Sequence, residues 1–455
     1  MKTQWAPTKL EGWGRYPRHS AWVARPERMK DVENALSERD GHPVLAYGLG
    51  RSYGDAALIK DGRVVLTQRL NRMLDFDPET GWLRVESGVS LKEIIDTFLP
   101  RGFFPPVVPG TQFVTVGGAL GCNIHGKNHH VDGCWGDHVR RVELLVASGD
   151  IVICDREREP ELFWATVGGM GMTGVILSLE VKLERVESPG ILMESVRVNN
   201  LDEFFEVSAD SADFTHTVSW VDCVKQGASM GRGIFMRGRH APADVQTGAS
   251  PLDALASFAQ RILNVRDLES NLWLNKATIK LFNEAYFRKT PAGTTSSSVH
   301  YVPFFFPLDA VDNWNYLYGS RGFLQYQMVV PEKDAVREIL EVISNSGMAS
   351  FLAVIKEFGD RDHGGLSFPS RGTTLALDFP NFGTPLLDMM ERLDDIVIAS
   401  GGRVYLGKDA RLSKAKFRQM YPEWEKWKAV RDEWDPNYIF QSELGRRLGL
   451  VGGAK

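Results

Sequence analysis

The sequence predicts an α+β protein of two domains, and three features of the chain lead to that prediction. Its 455 residues exceed the usual size of one hydrophobic core. Up to about residue 187 the chain alternates short strands, turns and helices. From residue 324 to residue 406 the predicted order is β-α-β-β-α-β, the split βαβ arrangement. We therefore expect an amino-terminal domain and a second domain built on an antiparallel sheet with helices on one face.

In the first part, runs of β-branched and apolar residues between turns predict strands at residues 44–47, 64–67, 83–86, 139–146, 151–154 and 175–183. Ser90 and Glu93 form a capping box that begins a helix ending near Pro100. A second helix is predicted at residues 161–167.

In the second part, the pattern predicts strands at residues 324–330, 351–358, 374–379 and 403–406, with helices at residues 332–345 and 385–399. Residues 251–318 do not fit one assignment. They contain helix-like pieces, a threonine and serine run at residues 294–298, and an aromatic stretch at residues 301–306. Aromatic residues suit either a cover that meets a lipid or an ordinary core.

Composition excludes several classes of function. A net charge of −5 with interspersed signs does not give the basic face that nucleic acids require. The four cysteines form no paired framework and indicate free thiols in a reducing compartment. No apolar run has the length of a signal peptide or a membrane span. We expect a cytoplasmic protein.

Two glycine-rich segments carry the strongest functional signal. They are Gly48-Leu49-Gly50-Arg51-Ser52-Tyr53-Gly54-Asp55 and Val116-Gly117-Gly118-Ala119. Glycine lets backbone amides approach a pyrophosphate closely and donate hydrogen bonds to its oxygens. Two such loops over one ligand indicate a dinucleotide cofactor, and hence a redox enzyme.

Two other patterns are misleading. Residues 169–174 match G-x-G-x-x-G, but a predicted helix precedes them and a strand follows, the reverse of a Rossmann fingerprint. We expect a tight turn packed close to a ligand there. Six potential metal ligands crowd into residues 122–138: Cys122, His125, His129, His130, Cys134 and His138. Their spacing fits no zinc motif, and the cationic Lys127 lies among them, so no metal site is predicted.

The turn from Gly50 to Gly54 resembles the phosphate loop of the vanillyl-alcohol-oxidase family, whose FAD-binding domain is of the PCMH type. Over nearly the whole chain the sequence is similar to the family of decaprenylphosphoryl-β-D-ribose 2′-oxidases. The matching motifs lie at residues 12–15, 50–55, 116–130, 161–169, 322–327, 366–369, 378–380, 408–409 and 446–448.

The resemblance implies an FAD-binding domain from residues 1–187, a substrate-binding domain from residues 188–402, and a segment, residues 403–455, that returns to the FAD-binding domain. It also implies which residues lie along FAD: Ala46, Tyr47, Gly48, Leu49, Gly50, Arg51, Ser52, Tyr53, Gly54, Asp55, Ala56, Gly110, Thr115, Val116, Gly117, Gly118, Cys122, Asn123, Ile124, His125, Ile176 and Tyr405. Family members that bind flavin covalently often have histidine where this chain has Asp55. We therefore expect non-covalent FAD.

The same resemblance implies oxidation of the 2′-hydroxyl of a polyprenylphosphoryl-β-D-ribose, the first half of its epimerisation to an arabinose donor. The implied catalytic residues are Lys408, His125 and Tyr53, and the implied substrate-binding residues are Lys127, Gln325, Gln327, Lys356, Asp378 and Lys408. Lys408 is the first candidate base and His125 its competitor. Ala376 stands where the mycobacterial members have a cysteine, so covalent inhibitors that trap that cysteine should fail here.

Implied partners are a separate NAD(P)H-dependent keto-reductase, quinone or oxygen as electron acceptor, and a peripheral contact with the inner face of the membrane. Two alternatives remain. One is an FAD-dependent oxidase of a soluble sugar, alditol or aldonolactone that uses oxygen, because this fold alone does not determine the substrate. The other is a flavin or lipid carrier without catalysis.

Overall fold

The amino-terminal part contains two sheets. The structure is a computed structural model that describes residues 2–245, 276–350 and 352–452. The first sheet has the order β1-β2-β4-β3, with β2, β3 and β4 parallel and β1 antiparallel to β2. Its strands are β1 (Ala6–Glu11), β2 (Arg18–Ala24), β3 (Val44–Tyr47) and β4 (Arg63–Leu66).

The second sheet is antiparallel, in the order β5-β6-β10-β8-β9. Its strands, together with the short pair β7 and β11, are β5 (Met73–Phe76), β6 (Trp82–Glu86), β7 (Phe103–Phe104), β8 (Val139–Leu145), β9 (Ile151–Asp155), β10 (Val175–Lys182) and β11 (Glu184–Arg185). The helices of this part are Met29–Ser37, Leu91–Phe98, Val116–Gly121, His129–Asp132 and Pro160–Thr166.

The remaining strands form one eight-stranded antiparallel sheet, in the order β15-β12-β14-β13-β17-β18-β16-β19. They are β12 (Gly190–Val198), β13 (His216–Val221), β14 (Gly233–His240), β15 (Thr294–His300), β16 (Phe323–Val330), β17 (Ala353–Phe358), β18 (Gly372–Pro380) and β19 (Arg403–Val404). The helices of the second half are Leu201–Ala209, Lys276–Lys289, Tyr301–Phe305, Lys333–Ser346, Thr384–Ala399, Lys414–Met420, Trp424–Trp434 and Glu443–Leu448.

The α+β class and the split βαβ unit are confirmed. The unit runs from β16 to β19, and the helices Lys333–Ser346 and Thr384–Ala399 connect its strands on one face of the sheet. The capping box is also confirmed, because the Ser90 hydroxyl accepts from the Glu93 amide and the Glu93 carboxylate accepts from the Ser90 amide. Of the predicted strand at residues 351–358, residue 351 lies outside the described part of the chain.

Four strands from residues 190–300 widen this sheet beyond the predicted unit. The threonine and serine run at residues 294–298 belongs to β15, which pairs along β12 at the edge of the sheet. The nearby aromatic stretch is core: Phe304, Phe305 and Phe306 are buried in the cluster that fills the amino-terminal part. Residues 251–275 of the same segment, for which a cover and a core were both open, lie outside the described residues.

Strand alternation separates the two faces of the large sheet. On β16, Tyr326 and Met328 are buried against the helices, whereas Gln325 and Gln327 point to the opposite face. On β18, Leu375 and Leu377 pack against the helices in the same way. The face away from the helices Lys333–Ser346 and Thr384–Ala399 is therefore the one on which β16 and β18 carry polar side chains.

The carboxyl-terminal residues pack back onto the first sheet. The Val44 amide donates to the Ile439 carbonyl at 2.7 Å, and the Glu443 amide donates to the Leu58 carbonyl at 2.7 Å. Arg447 donates to both carboxylate oxygens of Asp55 at 2.8 and 2.9 Å. Within the described residues, no helix is both long enough and apolar enough to span a membrane.

Candidate active site

A cavity of about 310 Å³ lies between the glycine-rich segments and the polar face of the large sheet. The first wall consists of the loop after β3, the segment around residues 110–125 and the turn at residues 170–174. The second wall consists of side chains from β16, β17 and β18, together with the loop after β19. Both sets of sequence-predicted residues therefore meet at one cavity.

Most of the predicted cofactor residues line the cavity: Ala46, Gly48, Leu49, Gly50, Arg51, Ser52, Tyr53, Ala56, Gly110, Thr115, Gly117, Gly118, Cys122, Ile124, His125, Ile176 and Tyr405. Of the predicted catalytic and substrate residues, the ones that line it are Tyr53, His125, Gln325, Gln327, Lys356 and Lys408.

The first glycine segment offers unused hydrogen-bond donors. Among the described residues, the backbone amides of residues 49–52 donate no hydrogen bond to another protein group. Gly50 has φ of +66°, a conformation that glycine adopts without strain. Arg51 lies over the Trp13 ring at 3.9 Å from its centroid and donates to the Phe113 carbonyl, so the loop is held from the side. Free amides in a fixed loop suit the oxygens of a pyrophosphate.

The second glycine segment leaves room for a flat ligand. Thr115 caps the short helix by accepting from the Gly118 amide at 3.1 Å, and the Gly117 amide donates to Ser87. A Cβ built on Gly121 would meet nothing closer than the Gly171 nitrogen at 3.8 Å. The space beside Gly121 therefore belongs to the cavity and not to the protein core, which fits an organic cofactor.

The turn at residues 169–174 has the predicted context. The helix Pro160–Thr166 precedes it and β10 follows it, so it is not a Rossmann fingerprint. Its residues Met170, Gly171 and Gly174 line the cavity, as the expected close packing against a ligand requires.

His125 lies where the two walls meet. Gln327 Nε2 approaches His125 Nε2 at 3.0 Å, so the amide donates and the imidazole accepts. The other ring nitrogen, Nδ1, is buried and has no hydrogen-bond partner among the described residues. Burial, followed by the positive charge of Lys356, holds the pKa of His125 well below its ordinary value. At neutral pH the imidazole is therefore uncharged.

Lys127, Lys356 and Lys408 lie close to the cavity, and none of them forms an ion pair with a carboxylate among the described residues. Burial, followed by the positive charges of Lys127 and Lys408, lowers the pKa of Lys356 to about 7. Burial alone lowers the pKa of Lys127 to about 8. Lys356 Nζ donates to the Gly126 carbonyl at 3.2 Å, and Lys127 Nζ donates to the Phe305 carbonyl at 3.3 Å. Burial of these positive charges without a partner costs free energy, and a bound anion would offset part of that cost.

Lys408 lies against Tyr53, with Nζ at 3.6 Å from the centroid of the phenol ring. Burial lowers the pKa of Lys408, while the nearby Asp378 carboxylate opposes that shift. Burial also raises the pKa of Asp378, whose Oδ1 accepts from Gln325 Nε2 at 2.5 Å. The pKa of Tyr53 is raised well above its ordinary value by burial, so Tyr53 remains a neutral phenol.

Seven predicted site residues do not line the cavity: Tyr47, Gly54, Asp55, Val116, Asn123, Lys127 and Asp378. Several of them hold the wall in place. Asp55 pairs with Arg447, Asn123 donates to the Ser367 hydroxyl at 2.8 Å, and a Cβ on Gly54 would come within 1.9 Å of the Asp409 carbonyl oxygen.

Three of the potential metal ligands at residues 122–138 each make a separate hydrogen-bonding contact with the backbone. His129 accepts from the Gly359 amide, His130 contacts the Phe214 carbonyl and His138 contacts the Asp132 carbonyl. Within the described residues, one group of three possible ligands has its atoms within 4.8 Å of one another, namely Cys134, Asp137 and His363. Its carboxylate already contacts His363 at 3.1 Å and Arg361 at 3.5 Å.

Sequence reasoning missed part of the lining. Leu308, Asp309 and Trp314 reach the cavity from the segment that could not be assigned, and the Gln112 amide donates to Asp309 at 2.9 Å. Val354 and Thr374 line the cavity because of strand register. The sequence could have identified these two residues, because they lie two positions from Lys356 and Ala376 on their strands and therefore on the same face of the sheet.

The comparisons with known proteins agree with this geometry. The sequence model of the FAD binding domain matches residues 20–155, and that of D-arabinono-1,4-lactone oxidase matches residues 334–448. Cytokinin dehydrogenase 8 of Oryza sativa subsp. indica is 29% identical over 36% of this chain and 34% of its own length. The protein is an FAD-dependent oxidoreductase that acts on CH–OH groups.

Longer matches define the family. Decaprenylphosphoryl-beta-D-ribose oxidase of Mycolicibacterium smegmatis (strain ATCC 700084 / mc(2)155) is 38% identical over 99% of this chain and 100% of its own length. An uncharacterized protein in the mprA 5′ region of Streptomyces coelicolor is 33% identical over 80% of this chain and its own whole length. The chain belongs to the decaprenylphosphoryl-β-D-ribose oxidase family.

Proposed function

We propose that the protein oxidises the 2′-hydroxyl of a polyprenylphosphoryl-β-D-ribose to the 2′-keto sugar, as the first half of epimerisation to the arabinose donor. One observation carries the proposal: Lys408, Lys356 and two glutamines face a cavity whose other wall offers free backbone amides. A sugar with an anionic phosphate fits the cationic wall, and a dinucleotide fits the amide wall.

In this proposal the amides of residues 49–52 and the segment around Gly118 hold FAD, which supplies a two-electron acceptor for the hydride. Residues 1–187 and 403–455 would form the FAD-binding domain and residues 188–402 the substrate-binding domain, although Arg403 and Val404 pair with β16 as the last strand of the large sheet. The return of the carboxyl-terminal residues to β3 supports this division. Non-covalent binding is supported by Asp55, whose carboxylate is paired with Arg447 and which does not line the cavity.

Removal of the hydroxyl proton makes a secondary alcohol a better hydride donor, so a base must lie within hydrogen-bond reach of the hydroxyl. We assign this role to Lys408, because burial lowers its pKa towards neutrality. His125 suits the role less well, since its pKa is held well below the ordinary value and its Nε2 already accepts from Gln327. His125 and the Tyr53 phenol would then orient the substrate beside Lys408.

Gln325 and Gln327 lie two positions apart on β16 and face the same side, where their amides can bind sugar hydroxyls. Lys356, with Lys127 behind it, supplies positive charge for the phosphate. Asp378 would keep part of the positive charge on Lys408. These roles require the register of β16, β17 and β18 that the structure shows.

The proposed reaction also requires partners. A separate NAD(P)H-dependent keto-reductase would complete the epimerisation, and a quinone or oxygen would reoxidise the flavin. Because a polyprenyl tail partitions into a bilayer, the enzyme would work at the cytoplasmic face of the membrane in peripheral contact with it.

The test begins with the purified protein and its visible spectrum. Acid precipitation should release FAD into the supernatant if the flavin is non-covalent. Without oxygen, polyprenylphosphoryl-ribose should then bleach the bound flavin, whereas free ribose should not. Flavin that remains with the precipitated protein would contradict non-covalent binding. If the prenyl donor does not bleach the flavin, polyprenylphosphoryl-ribose is not the substrate.

One observation favours a second function. The match of residues 334–448 to D-arabinono-1,4-lactone oxidase covers β17, β18 and the loop after β19, which form most of the polar wall, together with the helices behind them. An oxidase of a soluble sugar, alditol or aldonolactone should bleach with such a compound and release hydrogen peroxide in air. That result, without bleaching by the prenyl donor, would replace the first proposal with the second.

A further inference from the structure

The helix Lys276–Lys289 has a clear inner and outer face. On the inner face Ile279 and Phe287 are buried, and Asn283 donates to Asp222 at 2.7 Å. We call the six exposed residues on the other side the outer face: Lys280, Leu281, Phe282, Ala285, Arg288 and Lys289. Leu281 is 74% exposed, the highest fraction among the large hydrophobic residues that the structure describes as exposed. Leu281, the 39% exposed Phe282 and the exposed Ala285 lie within four positions of one another on the helix and form a small apolar patch, and contiguous exposed apolar patches mark interaction sites.

The charge around Leu281 is positive. Lys280, Arg288 and Lys289 belong to the outer face, whereas the carboxylate on this helix, Glu284, is drawn to its flank. Glu284 accepts from Arg232 at 2.8 Å and from Arg288 at 2.6 Å. Glu284 and Arg288 therefore compensate each other, and the outer face keeps Lys280 and Lys289, which form no ion pair among the described residues, beside its apolar residues. This combination is complementary to a lipid surface with anionic headgroups.

The helix also lies next to the cavity. Tyr286 packs against Trp220 with ring centroids 4.9 Å apart, and Trp220 on β13 is directly opposite Val354 on β17. Residues opposite each other in an antiparallel pair have side chains on the same face of the sheet. Because Val354 lines the cavity, the helix rests on the cavity face, about one strand away from the lining.

The geometry points to the outer face of helix Lys276–Lys289 as the surface that binds an anionic phospholipid bilayer. Leu281 enters the headgroup boundary, while Lys280 and Lys289 contact the lipid phosphates. This contact brings the cavity close to the bilayer, from which a lipid-linked sugar has to be taken. The last step rests on the proposed function, whereas membrane binding itself does not.

The experiment is co-sedimentation of the full-length holoenzyme with vesicles of phosphatidylcholine, with and without phosphatidylglycerol. The wild type should sediment with the phosphatidylglycerol vesicles and only weakly with phosphatidylcholine alone. Leu281→Asp should weaken vesicle binding by at least about tenfold, because it removes the apolar anchor and adds a repelled charge. The matched control is Ile151→Asp, at another apolar residue that is 44% exposed, which should bind as the wild type does.

Two further measurements separate the possible outcomes. Leu281→Asp should keep the wild-type rate on a donor with a short, water-soluble prenyl chain, and should lose rate on a long-chain donor presented in vesicles. If no prenyl donor is oxidised at all but vesicle binding depends on Leu281, the proposed function fails and this inference stands. Equal vesicle binding by the wild type and Leu281→Asp overturns the inference, as does a Leu281-dependent self-association seen by light scattering without lipid.

Discussion

The two walls of the cavity are built in different ways. The wall from residues 48–56 and 110–125 presents backbone amides and glycines, while the wall from β16, β17 and β18 presents glutamine and lysine side chains. In the first wall, the absence of glycine side chains exposes backbone amides to a ligand. In the second wall, the binding groups are the side chains that face the cavity. The comparison teaches that one wall should be sensitive to added volume and the other to removed functional groups.

The strongest test of the side-chain wall is Lys408→Ala. Loss of the base should slow flavin reduction by the sugar about 1000-fold, while FAD remains bound to the amide wall. Anaerobic stopped-flow absorbance measures the rate, and the visible spectrum measures flavin content. Lys416→Ala, which removes a lysine paired with Glu391 and Asp395 elsewhere, is the matched control. A normal rate in Lys408→Ala would remove this lysine from catalysis.

FAD binding at the amide wall should instead be weakened by added side-chain volume. Gly121→Val places methyl groups in open cavity space, so FAD affinity should fall by about 100-fold while the ligand-free fold is retained. Titration with FAD gives the affinity, and the melting temperature of the FAD-free protein gives the control. Wild-type FAD affinity in this variant would mean that the cofactor does not occupy the space beside Gly121.

A smaller effect is expected for Gln327→Leu. It removes the hydrogen bond to His125 and one donor to the sugar, so the KM for the sugar should rise about tenfold. Tyr326→Phe is the control on the neighbouring residue, since its hydroxyl contacts Asp394 on the opposite face. That change should leave KM unchanged and lower the free energy of unfolding by about 1 kcal/mol. Equal effects on KM would contradict the proposed inward face of β16.

The smallest effect is a displacement of the pH profile. The Asp378 carboxylate opposes the fall in the pKa of Lys408, so Asp378→Asn should lower that pKa further. A base is active when deprotonated, so the rate should rise with pH, and the rise should move to lower pH in Asp378→Asn. Glu357→Gln, on the strand position after Lys356 and facing the other side, should leave the profile in place. A shift to higher pH would contradict a base role for Lys408.

Much of the fold followed from local pattern. The capping box at Ser90, the strand at residues 44–47 and the split βαβ unit depend on short-range preferences, and the structure confirms them. The strand β15 was not predicted, because its serines and threonines are ordinary loop residues until β12 supplies the edge for pairing. Asp309 and Trp314 were missed for a related reason, since a long-range contact with the Gln112 segment places them at the cavity.

Sequence alone was sufficient for the glycine segments, the inverted context of residues 169–174 and the family, because each depends on neighbours along the chain. Tertiary structure alone decided that His125 is held neutral and that Lys356 and Lys408 have lowered pKa values. It also decided which face of β16 meets the cavity and where Leu281 is exposed. Burial and charge proximity arise from residues distant in sequence, so they exist only after the sheet has closed over the amino-terminal loops.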